Sequence, residues 1–121
     1  MPFLAYAQFG NFGSLSSHGE DIERCSNAAR YVMAAAAAQP DDPGRWNEFA
    51  FDLRDTMSAD PVLSATQRAR LSPSLAEIFF ARSTVAEGLE EGLGLDDPSS
   101  RDYLAAKAAA YCTSIMLLES K

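Results

Sequence analysis

The stretch Gly19–Ala38, GEDIERCSNAARYVMAAAAA, decides the fold. Ile22, Cys25, Ala29, Val32, Met33 and Ala36 recur at steps of three and four, which draws one apolar stripe along a helix. Ser17 and Glu20 stand in Ser-x-x-Glu spacing, a capping box that predicts a start near Gly19, and Pro40 predicts the end. A lone amphipathic helix of this length is marginal in water, so its stripe requires others to meet it.

Reading outward, those others are present. Asp42-Pro43 predicts the start of a second helix to about Ala59, with Trp46, Phe49, Ala50, Leu53 and Met57 on one face and Asp60-Pro61 as the stop. Ser64 and Gln67 form another capping box and open a short helix, Ala65 to Leu71. A fourth pattern runs from Ser72-Pro73 to about Leu89, with Leu75, Ile78, Phe79, Val85, Ala86 and Leu89 as its stripe. Glu91-Gly92-Leu93-Gly94-Leu95 breaks it, because glycine accepts the left-handed turn that closes a helix. The last pattern follows Asp97-Pro98 to about Glu119 and carries Leu104, Ala108, Tyr111, Ile115 and Leu118.

Composition agrees. The 121 residues make one domain, and 47% hydrophobic against 22% charged is ordinary globular usage rather than disorder. Alanine occurs 21 times while Val, Ile and Thr together occur 10 times, which favours helix and starves strands. The expected architecture is all-α: an up-and-down four-helix bundle over residues 18–121, with one additional short helix and an apolar N-terminal extension, residues 1–17, packing on it.

The formal net charge of -7 argues against direct binding of nucleic acid or an anionic membrane. No apolar run approaches the ~20 residues of a membrane span. The N-terminal segment has no Lys or Arg before Arg24, so it lacks the basic flank of a secretory signal. Cys25 and Cys112 lie far apart in helical patterns and read as two reduced thiols near a core. Together these features predict a cytoplasmic protein.

Chemistry-bearing constellations are missing. His18, the single histidine, sits at a helix start beside Glu20 and Asp21, where acids serve the helix dipole, and reads as a capping or solvent residue. No Glu-x-x-His pair of the di-iron bundles occurs, and no calcium-loop or phosphate-loop pattern. The acidic pairs Asp41-Asp42 and Asp96-Asp97 flank proline-led helix starts. The expectation is therefore no enzyme, no cofactor and no metal. Arg82, a charge inside an apolar stripe, reads as snorkelling or as paired with Asp52 or Asp55.

One surplus remains. Tyr31, Phe51, Phe80, Met116 and Leu117 fall off the stripes of their helices and make a second apolar face. Such a face marks a partner site, here for an amphipathic helix. Phe3, Leu4, Phe9 and Phe12 of the extension are its expected cover. The alternatives are a homodimer that buries the same face, or a small acidic inhibitor or mimic that occupies a basic groove of its target.

The chain also resembles the FlaF family of flagellin regulators. The resemblance rests on Phe3-Leu4-Ala5-Tyr6-Ala7, Trp46-Asn47 with Leu53, and the break at Ala59-Asp60-Pro61. It continues through Arg70-Leu71, Phe79-Phe80-Ala81-Arg82, Val85 and Gly88, to the apolar terminus Ile115-Met116-Leu117-Leu118-Glu119-Ser120. It implies a bacterial, cytosolic, all-helical chaperone or regulator that binds flagellin and supports its secretion, with no catalytic residues.

Overall fold

Helix α1, Phe12–Ala38, is the axis around which the other elements gather. The computed structural model describes the backbone of residues 12–119 and the side chains of residues 19–119. A 3-10 turn, Pro43–Arg45, leads into α2, Trp46–Ser58; α3 is Ala65–Leu71, α4 Leu75–Glu90 and α5 Pro98–Glu119. There is no strand among the described residues.

The long helices run up, down, up and down. Tyr31 meets Met57 while Gln39 meets Trp46, so α2 returns along α1. Gly88 abuts Leu104 and Phe80 abuts Tyr111, so α5 returns along α4. α1 also packs extensively on α4, its diagonal neighbour, whereas α2 has little contact with α5. The cross-section is therefore a rhombus with α1 and α4 on its short diagonal. Small residues allow that approach: Ala28, Ala29, Ala35, Ala36 and Ala81 are all buried. Trp46, Ile78, Leu104, Val32 and Val85 fill the remaining volume.

Local signals explain the boundaries. Ser64 and Gln67 form the expected capping box of α3. A further box, Ser74 with Glu77, starts α4 two residues after the predicted Ser72-Pro73 start. Gly92 closes α4 with φ +95, the left-handed conformation that only glycine adopts without strain. Asp42 sits at the head of the 3-10 turn, yet its side chain makes no capping bond. At α1 the expected start is corrected. The backbone is already helical at Phe12, so Ser17 and His18 lie within the helix rather than capping it. Six residues of the expected extension thus belong to α1. Its proposed docking through Phe3, Leu4 and Phe9 falls outside the described residues.

The cysteines overturn a second expectation. Cys25 and Cys112 form a disulfide between α1 and α5, with Cα atoms 5.6 Å apart and both residues fully buried. Residues 87 positions apart give no sequence signal of proximity; the antiparallel pairing of α1 with α5 brings them together.

Candidate docking face between α4 and α5

The inward faces of α4 and α5 match their predicted stripes in part: Ile78, Val85, Leu104 and Ala108 are buried as expected, and other stripe residues are not. In α4 the buried set is Glu77, Ile78, Ala81, Thr84, Val85 and Gly88. In α5 it is Leu104, Ala108 and Cys112. Polar and small residues thus take core positions. Leu75 (62% exposed), Phe79 (46%), Tyr111 (44%) and Leu118 (63%), all expected inside, stand in solvent. Ile22 and Leu53, expected inside on α1 and α2, are exposed as well.

Glu77 sets the phase of α4. Its Oε1 accepts the Ser74 amide at 2.6 Å, and its Oε2 accepts Arg24 Nε at 3.1 Å. The carboxylate caps α4 and ties it to α1 at once. Arg24 also pairs with Asp21 on its own helix. With Glu77 inward, a rotation of about 200° over two residues turns Leu75 and Phe79 outward.

The rings form one chain across the seam. Phe79 stacks beside Phe80 at 6.1 Å, and Phe80 meets the Tyr111 ring edge to face at 6.2 Å. Such pairs contribute ~0.5–1.5 kcal/mol beyond their burial. Along α5 the run Ala108–Leu118 contains no charged residue. That run makes about three turns, so it is uncharged on every side of the helix. Ala110, Tyr111, Ser114 and Leu118 nevertheless face solvent. An exposed helix surface ordinarily carries charged residues, and this one carries none over these turns.

The five residues singled out from sequence are all half-buried rather than exposed. Tyr31 lies on the α1–α2 seam, donates its hydroxyl to Met57 Sδ at 3.1 Å, and is held above the usual phenol range by burial. Phe51 packs against the core with the Arg54 guanidinium 4.6 Å above its ring. Phe80 is the link to Tyr111, and Met116 and Leu117 lie in the last turns of α5. Of the five, Phe80 alone has a ring contact that places it at this face, while Phe79 and Tyr111, expected inside, stand exposed there. The uncharged run Ala108–Leu118 was the signal that could have found them.

Other features are structural. Arg82 donates from Nε to the Pro43 carbonyl at 3.2 Å, in place of the expected Asp52 or Asp55. A groove of about 260 Å³ between α1 and α2 is lined by Ala34, Ala35, Ala38, Phe49, Asp52, Leu53 and Thr56. No cluster of three or more His, Cys, Asp or Glu able to hold a metal occurs among the described residues, and none of the described helices is long and apolar enough to cross a membrane. No family model matches this chain, no curated protein matches it in sequence, and no solved structure matches its fold.

Proposed function

We propose that this all-α bundle is a non-enzymatic binding module that captures an amphipathic helix of a protein partner on the α4–α5 face. The observation that carries the reading is the uncharged run Ala108–Leu118, whose Tyr111 and Leu118 stand exposed, as do Leu75 and Phe79 of α4. A helix laid along this seam would bury those four side chains and the edge of Phe80, the helix-in-groove mode of recognition. Flagellin is the occupant nominated by the sequence resemblance.

The test is titration of purified flagellin onto the wild-type chain and onto a Phe79→Ser, Tyr111→Ser double variant. The wild type should bind, and the variant should lose at least tenfold in affinity, about 1.4 kcal/mol or more, with unchanged helicity. Equal binding by both would reject the face. Sedimentation at micromolar concentration separates the homodimer, which would hide Tyr111 against its symmetry mate. Binding that vanishes at moderate salt would instead favour the acidic mimic.

The working compartment is a separate question. The resemblance implies the cytoplasm, where reductants keep thiols open, whereas the closed Cys25–Cys112 bond supports an oxidising one. Alkylation of thiols in freshly lysed cells, under denaturing conditions, decides: two labelled cysteines mean cytoplasm, and none means an oxidising compartment.

A further inference from the structure

We propose that the Cys25–Cys112 bond is a redox clasp that holds the C-terminal half of α5 on α1 and thereby assembles the Phe79–Phe80–Tyr111 face. The inference rests on the reading of that face as a docking surface.

Three observations carry it. First, among the described side chains the bond is the last fully buried contact between α1 and α5 at this end. Past Ala108 the one buried side chain of α5 is Cys112, and from Gly19 to Arg24 no side chain of α1 is buried. Second, the bond sits beside the face, because Cys112 follows Tyr111, whose ring meets Phe80. Third, α4 does not depend on the bond. Glu77 anchors its first turn to Arg24, so Phe79 and Phe80 stay in place when α5 lifts.

Both cysteines are fully buried, so thiol–disulfide exchange requires the end of α5 to leave α1. Closure needs an external disulfide oxidant, such as glutathione disulfide or a dithiol oxidoreductase in its oxidised form. One cysteine thiolate attacks the oxidant's disulfide, forming a mixed disulfide and releasing one oxidant thiolate. The second thiolate then attacks the protein sulfur of that mixed disulfide and expels the other oxidant sulfur. Two electrons pass to the oxidant, and the protons of both cysteine thiols go to solvent or to the released thiolates.

The experiment is amide hydrogen exchange on the full chain, oxidised and after phosphine reduction, with Trp46 fluorescence recorded on the same samples. Trp46 is fully buried and bonded through Nε1 to Gln39, so it reports the core away from the bond. Reduction should speed exchange at residues 109–119 at least tenfold more than in the rest of the chain and leave Trp46 emission unchanged. Unchanged exchange there would overturn the clasp. So would loss of protection throughout the chain with a shifted Trp46 emission, which would make the bond a staple of the whole fold. A Cys25→Ala, Cys112→Ala variant should reproduce the reduced pattern without reductant. Flagellin titration of both redox states separates the two proposals: binding by the oxidised chain alone supports both, and absence of binding in both states counts against the face and leaves the exchange result to judge the clasp.

Discussion

Two buried polar side chains complete helix ends that would otherwise leave backbone groups unpaired. Asn27 donates from Nδ2 to the Leu71 carbonyl at 2.8 Å and accepts Arg30 at its Oδ1, so it closes the last turn of α3 from α1. Glu77 does the same for the first turn of α4 while facing Arg24. Glu77→Ala should destabilise the bundle by ~2–4 kcal/mol, through a lost cap and a broken buried ion pair. The lower part of that range fits, because Arg24 keeps Asp21 as a partner. Glu77→Gln retains the reach of the cap, loses the charge, and should cost ~1–2 kcal/mol. Urea denaturation of both variants checks the order; an alanine variant no weaker than the glutamine variant would deny the cap its share. Ser74-x-x-Glu77 was legible as spacing, but Ser72-Pro73 offered an earlier start and drew the reading away.

Among the elements, helix existence was readable throughout and helix phase only in part: Cys25, Ala29, Val32, Met33 and Ala36 of α1 are buried as expected, whereas the stripes of α4 and α5 are partly displaced. Prolines, capping boxes and Gly92 mark ends by local backbone chemistry, which a sequence displays directly. The inward face of α4 is a tertiary property. Ile78 and Val85 lie inside it as expected, but so do Glu77, Thr84 and Gly88, while Leu75 and Phe79 lie outside, so hydrophobicity alone misplaces one edge of the face. Gly88 is there because α5 approaches closely: a Cβ on it would overlap Leu104 Cδ2 and lie 3.3 Å from Leu104 Cγ. Leu104 is fully buried and has little room to turn away. Gly88→Ala should therefore destabilise by up to ~2 kcal/mol, overpacking of ~1–3 kcal/mol outweighing the ~1 kcal/mol that alanine contributes to a helix. In a Leu104→Ala background the same change should be neutral or stabilising, a sign reversal that a thermal-melt double-mutant cycle would detect. At the head of α5, Asp97 accepts the Ser100 hydroxyl at 2.9 Å and its amide at 3.3 Å, and these bonds hold the exposed carboxyl below its ordinary range. A depressed folded value means that its stabilising effect is present above the ordinary carboxylate range and fades as pH falls through the folded value. Ser100→Ala should move the Asp97 titration upward in a carbon-detected NMR experiment, and an unchanged curve would assign the shift elsewhere.

At the scale of the whole molecule, the up-and-down bundle followed from stripe lengths and turn chemistry, but its covalent link did not. Whether two distant cysteines bond depends on helix pairing and register, and α1 pairs with α4 and α5 as well as α2. Cys25 and Cys112 stand 87 positions apart and enclose most of the chain. Constraining a loop of that size removes conformational freedom from the unfolded ensemble worth ~4–5 kcal/mol on a chain-entropy account. A domain of this length is stable by ~6–18 kcal/mol, so the reduced protein should remain folded at room temperature with a much smaller margin. Its melting temperature should fall by ~10–25 °C on reduction. Calorimetry of oxidised and reduced chains at matched concentration measures this directly. The alanine core makes the expected drop meaningful: small buried residues contribute little apolar area each, so a covalent tie between the two longest helices carries a larger share of the total than it would in a leucine-rich bundle. A fall of only 1–2 °C would mean that the reduced chain retains the α1–α5 pairing in its unfolded ensemble, and that packing along that seam, rather than the bond, holds the molecule together.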